Sequence, residues 1–150
     1  MAKNIIRAFE QLNELVRAGI LTTDEMIKAM KQDDLELVDE RREELAFLLI
    51  DAEQKSKELS SLIHKDCDTF QIERGDIMNM VNHYSVAEKE QVLKLLETSF
   101  QLKRNFEKNM FYCEHIRKLK AEISETMIDL LQVSAQDAGK SEGNFVNRTL

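Results

Sequence analysis

The chain contains no proline, and its four glycines stand alone at positions 19, 75, 139 and 143. Hairpins and short strands need residues that punctuate the backbone, and glycine and proline do most of that work. Only Gly19 and Gly75 fall within the first 138 residues. A sandwich or barrel is thereby excluded, and long helices are the expected product. The chain is 43% hydrophobic and 33% charged over 150 residues. That is too apolar for a disordered polymer and too charged for a membrane protein. The formal net charge of −7 argues against nucleic acid as the main partner, because phosphate neutralisation needs a basic surface. The opening ten residues lack the apolar core of a secretory leader. The longest purely apolar run is Ala46 to Ile50, far short of the ~20 residues a spanning helix requires. Two cysteines, Cys67 and Cys113, make no disulfide framework. A cytoplasmic protein is expected.

Apolar residues recur at spacings of three and four in three stretches, the signature of helices that pack along a seam. The first seam is Ile5, Phe9, Leu12, Val16, Gly19, Thr23, Met26 and Met30. Thr22-Thr23-Asp24-Glu25 resembles a capping box, but the seam crosses it in phase, so one helix over about 4–31 is expected, with a kink allowed at Gly19. Residues 31–34 carry no apolar side chain, and the pattern resumes one residue out of phase. Asp33 or Asp34 can cap the next helix, expected over about 34–65, with Arg74 as its furthest reach. Its seam is Val38, Arg41, Leu45, Leu48, Ala52, Lys55, Leu59 and Leu62. Residues 66–84 leave a separate helix undecided: Asp68 and Asp76 are candidate caps, Gly75 a candidate helix stop, and Ile77 to Val81 a short helical piece. Ser85-Val86-Ala87-Glu88 then forms a second capping-box pattern and opens the longest segment, about 86–133. Its seam runs from Val92 through Ser99, Phe106, Asn109, Cys113, Ile116, Lys120, Ile123 and Met127 to Leu130. At about 1.5 Å per residue that helix spans about 70 Å. The expected fold is all-α: an elongated antiparallel bundle of three to four long helices with coiled-coil-like packing over 1–133, followed by a flexible tail at 134–150.

Little in the chain points to catalysis. No glycine-rich phosphate loop exists. The residues three before His64, His83 and His115 are Ser61, Met80 and Tyr112, so the Glu-x-x-His of di-iron bundles is missing. His64-x-x-Cys67 and Cys113-x-His115 have some likeness to metal-ligand pairs, but residues two apart on a helix point in nearly opposite directions. No enzyme, no metal and no cofactor is expected. Charge is uneven: residues 33–44 are strongly acidic and 103–120 strongly basic. Solvated or mutually facing helix flanks account for that pattern more simply than a docking face. Asn109 on the third seam is read as a register-fixing residue, Lys55 and Lys120 as snorkelling stems, and Arg41 as either a third such stem or the partner of a carboxylate.

The apolar surplus of the third helix is the informative excess. Beside its seam lie Leu93, Leu96, Phe100, Met110, Phe111, Leu119, Ile128 and Leu131. Two shorter helices cannot cover so long a third one, so apolar surface near 119–133 is expected to stay open unless 66–84 folds back over it. Open apolar surface marks a partner site, and methionines such as Met127 let it adapt to a partner helix.

Two stretches carry a family likeness. Leu37-Val38-Asp39-Glu40-Arg41-Arg42-Glu43-Glu44-Leu45-Ala46-Phe47-Leu48 places an acid-base cluster before a leucine run, and Leu102, Phe106 and Asn109 lead on to Ile116. Both resemble helices of the FlgN-type flagellar type III export chaperones, and the first half is also similar to the FliT-type chaperones. The resemblance implies a non-catalytic chaperone that sequesters hook–filament junction subunits by holding their terminal helices. Export-gate or export-ATPase components are further implied partners, with neither nucleic acid nor stable membrane insertion. The implied client-binding residues are Leu119, Ile123, Met127, Ile128 and Leu131, with Phe145 in the tail. A monomer or weak homodimer is expected. The alternative is a structural or regulatory homo-oligomeric helical adaptor that pairs through the same face.

Overall fold

The acidic break at 31–34 is where the first helix stops. In the computed structural model, which describes the backbone of residues 1–140 and the side chains of 1–133, α1 spans Lys3–Lys31 without interruption. Asp33 then takes a left-handed backbone (φ 56°), and the Asp34 amide donates back to the Ala29 carbonyl at 3.0 Å. This closes the orphan carbonyls of the last turn. Asp34 at once caps α2 (Leu35–Thr69), its side chain accepting from the Leu37 amide at 3.2 Å. Of the two candidate caps, Asp34 is the one used, and Asp33 supplies the reversal.

α2 ends at Thr69 by the same device. Gln71 is left-handed (φ 58°), and the Ile72 amide donates to the Cys67 carbonyl at 2.8 Å. Gly75 is therefore not the helix stop. It lies beyond that stop in the connecting loop, with φ 92°. Asp68 caps nothing and instead receives both arms of Arg74, at 2.9 and 2.7 Å. That guanidinium holds the Asp68 carboxyl below its ordinary range. Asp76 is a cap, accepting from the Asn79 amide at the start of α3 (Ile77–Met80), which runs into a 3₁₀ turn at Val81–His83. Ser85 caps α4 (Val86–Lys140), accepting from the Glu88 amide at 3.2 Å. α4 continues past residue 133, where the apolar pattern ends.

The molecule is an all-α bundle whose long helices pack against one another. α2 runs antiparallel to α1: Arg41 of α2 is ion-paired with Glu25 of α1, and Leu45 reaches the position of Gly19. α4 runs parallel to α1, as an up-down-up path demands. Three cross-helix hydrogen bonds fix that register: Ala2 to Glu88, Asn13 with Ser99, and Asn109 to Thr23. Each joins residues 86 positions apart, so α1 and α4 keep step along their shared length.

Two apolar clusters flank a polar band. The first gathers Ile5 and Phe9 from α1, Leu59, Ile63 and Cys67 from α2, Met80, Val81 and Tyr84 from the connection, and Val92 from α4. Residues 77–84 thus cover the base of the bundle. The second cluster joins Met26, Leu45 and Cys113, with Phe106 against it. Between them Asn13, Thr22 and Thr23 are buried polar residues. Asn13 Nδ2 donates to the Leu95 carbonyl at 3.4 Å, and its Oδ1 accepts from Ser99 Oγ at 2.6 Å. Asn109 Nδ2 reaches Thr23 Oγ1 and Asp24 Oδ1, both at 2.9 Å. Buried polar groups with partners cost little and forbid slippage of the seam.

Gly19 belongs to this close packing. A Cβ there would stand 3.2 Å from Phe106 Cε2, so the glycine lets the α4 phenyl ring approach the α1 backbone. No kink is required of it. Among the described residues, no helix is long and apolar enough to cross a membrane.

Candidate functional site

The chain divides into two compact units, Met1–Cys113 and the residues from Glu114 onward. Every buried side chain among the described residues belongs to the first. In the second unit Ile116 and Lys120 are half-buried, and all other residues through Val133 are exposed.

That exposed stretch is not polar. Leu119, Ile123, Met127, Ile128, Leu130, Leu131 and Val133 are all between 48% and 58% exposed. A helix turns about 100° per residue, which sorts these side chains by direction. Ile116, Leu119, Ile123, Met127 and Leu130 fall in one lengthwise stripe, with Leu131 and Val133 at its two edges. The apolar sector is about 160° wide, broader than the narrow seam of a two-stranded coil. Glu122, Glu125 and Asp129 lie outside it, and Lys120 and Thr126 are its polar members.

Of the residues implied as client contacts, Leu119, Ile123, Met127 and Leu131 share this sector. Ile128 is set well round the helix from it, about 140° from the centre of the stripe. Phe145 lies outside the described residues. Leu130 and Val133 complete the surface. Leu130 already stood on the seam, and among the described residues no element covers that seam there; Val133 is found by the same angular arithmetic.

Local electrostatics hold the start of this segment helical. Arg117 donates through Nε and Nη2 to Glu114 at 3.1 and 2.7 Å, and Lys118 stands 3.9 Å from the same carboxylate. The Arg117 hydrogen bond lowers the Glu114 carboxyl below its ordinary range. Such exposed pairs are screened by solvent, so they support the helix only weakly and do not explain its apolar face.

Among the described residues, no other surface or cluster matches this one. Cys67 and Cys113 are free and buried in different apolar clusters, and burial pushes the Cys113 thiol up. Among the described residues no group of three or more His, Cys, Asp or Glu side chains converges on a metal-sized site. His83 stacks on Phe70 with ring centroids 4.6 Å apart, which closes the loop after α2. α2 exposes Phe47 and Ile50, a smaller outward patch within the run already visible as Ala46 to Ile50. At the acidic start of α2, Arg41 pairs with Glu44 of its own helix and with Glu25 of α1, and Arg42 pairs with Asp39.

No protein-family model, no curated protein and no solved structure matches the chain.

Proposed function

We propose that this protein is a non-catalytic holdase that binds an amphipathic helix of a client on the 114–133 face of α4, in the manner of a flagellar export chaperone. One observation carries the reading: a sector of α4 in which Leu119, Ile123, Met127, Leu130, Leu131 and Val133 are all exposed among the described residues. Large exposed apolar sectors on helices mark partner surfaces. A helix laid into such a face is recognised through anchors spaced three and four residues apart, and Leu119, Ile123, Met127 and Leu130 follow one another at steps of four, four and three. The flexible thioether of Met127 adapts to differing anchors. The likeness of residues 37–48 and 102–116 to the FlgN-type chaperones supports junction subunits of the flagellum as clients and the bacterial cytoplasm as the place of action. Covering a client's polymerisation helix keeps it monomeric, and that function needs neither cofactor nor chemistry.

The test is light scattering after size exclusion, on the chain alone and co-expressed with junction subunits. The expected result is a soluble 1:1 complex with one subunit, lost when that subunit's terminal helix is deleted. Ile123→Glu with Met127→Glu is expected to abolish the complex while leaving helicity intact. Client affinity unchanged in the double variant would remove the reading.

A further inference from the structure

The 114–133 stretch of α4 has a symmetry that selects an occupant. Its stripe is Ile116, Leu119, Ile123, Met127 and Leu130. Leu119 and Met127 stand four residues either side of Ile123, and Ile116 and Leu130 seven either side. The apolar stripe therefore reads alike in both directions about Ile123. The charge does the opposite. From 114 to 120 Arg117, Lys118 and Lys120 outnumber Glu114, which pairs with the first two, whereas from 121 to 133 the charged residues are Glu122, just before Ile123, and Glu125 and Asp129 after it.

A stripe symmetric about one residue, with charge of opposite sign at its two ends, matches a reversed copy of itself. In an isologous contact residue i meets j and j meets i. Set antiparallel about Ile123, two such helices place Leu119 level with Met127 and Ile116 level with Leu130, apolar on apolar throughout. The same operation brings the cationic end of each helix, Arg117 to Lys120, alongside the acidic end of the other. A parallel pair would instead align cations with cations and acids with acids. The opposed helix dipoles also favour the antiparallel arrangement.

We propose that, in the absence of a client, residues 114–133 of two copies pair antiparallel as an isologous homodimer with Ile123 on the two-fold axis. The dimer stands on the pattern of this helix alone. Its consequence rests on the holdase reading: the dimer buries the stripe a client needs, so a client binds only by splitting it, and self-pairing shields the apolar face of the unloaded protein.

The experiment uses the full chain. Sedimentation over a concentration series is expected to show a monomer–dimer equilibrium. Ile123→Glu should raise its Kd at least about tenfold with helicity unchanged, since a central apolar contact is lost while the bundle core is untouched. Single cysteines then read the direction of pairing. Under mild oxidation Ile123→Cys is expected to cross-link to itself. Ile116→Cys and Leu130→Cys should not do so singly, because fourteen residues separate the copies by about 21 Å. A mixture of those two should cross-link. The parent chain, with Cys67 and Cys113 buried, is the background. A monomer at every concentration, or an Ile116→Cys chain that links to itself, overturns the antiparallel dimer. A monomer that still captures a client overturns it and leaves the holdase standing; a dimer indifferent to every subunit does the reverse.

Discussion

α4 contains two stretches with the same periodicity and opposite fates. From Val86 to Cys113 its seam is buried or half-buried, although Ser99 and Asn109 interrupt it. From Glu114 to Val133 the seam is no poorer in apolar residues, yet none is buried. Burial does not follow hydropathy here. It follows partners: the polar seam residues of the first stretch are enclosed because Asn13 and Thr23 of α1 meet them in register. The 3-4 spacing says which face of a helix is apolar, and another element must say whether that face is covered.

The sharpest way to break the comparison is to place the same charge in both stretches. Val92 is fully buried in the first apolar cluster, where a carboxylate has no partner. Val92→Glu is expected to cost more than about 4 kcal/mol, a large share of the roughly 5–15 kcal/mol by which a domain is stable. Ile123 is 52% exposed, and Ile123→Glu should shift monomer stability by no more than about 0.5 kcal/mol. Thermal melts at a concentration low enough to keep the chain monomeric check both. Equal destabilisation would mean that the second stretch has a hidden intramolecular partner.

What the sequence made legible follows the same division. The three long helices, the acidic break at 31–34 and the Ser85 and Asp76 caps could be read from spacing and capping chemistry, which are local. Asn109 could be recognised as a register residue, but its partners on α1 could not, because the 86-residue offset is set by the length of everything between. The two helix reversals were illegible for a different reason. Asp33 and Gln71 adopt the left-handed conformation glycine favours, whereas Gly75, the obvious candidate, is used only in the loop. Of the exposed stretch, Ile123 and Met127 could be read from the seam and Leu119 and Leu131 from the apolar surplus beside it. The setting of Ile128 away from them required only the helical angle to be carried through.

The polar band offers the next smaller effect. Asn13→Ala leaves Ser99 Oγ and the Leu95 carbonyl without their buried partner and should cost about 1–3 kcal/mol. Combined with Ser99→Ala, the loss should fall short of the sum of the two single losses, by a coupling of about 0.5–3 kcal/mol. Denaturant midpoints of the four chains measure it. Perfect additivity would mean that the enclosed polar seam contributes no register energy, and the contrast with the open stretch would reduce to apolar packing.

Titration gives a further handle on the first unit alone. Tyr84 is buried and donates a hydrogen bond to Asp66; burial and that carboxylate push its phenol far above the ordinary range. An unfolded tyrosine ionises near pH ~10, so this contribution is complete below that value and is lost as pH rises beyond it. Tyr84→Phe should cost about 0.5–1.5 kcal/mol at neutral pH and flatten the alkaline loss. Glu88 acts with the opposite sign. The Ala2 amide holds its carboxyl below the ordinary range, so its contribution is present above about pH 4.3 and is lost as pH falls through the folded-state value. Melts from pH 3 to 11 follow both limbs.

The smallest effect is the most discriminating, because it stabilises one stretch and reads the other. Gln71 pays for a left-handed backbone that costs an L-residue about 1–2 kcal/mol. Gln71→Gly removes that strain but loosens the unfolded chain by about 0.4–1 kcal/mol, leaving a net gain of about 0.5 kcal/mol. Amides that exchange only through global unfolding should then slow by about twofold, and those that open locally should not change. Val92 and Cys113 sit in the core and belong to the first class. Residues 123–133, with no buried side chain, belong to the second. Hydrogen exchange on the monomer should therefore split α4 between its two stretches. If protection rises at Ile123 and Leu130 as well, the whole helix opens as one cooperative unit, and the open face is held by the same free energy as the core.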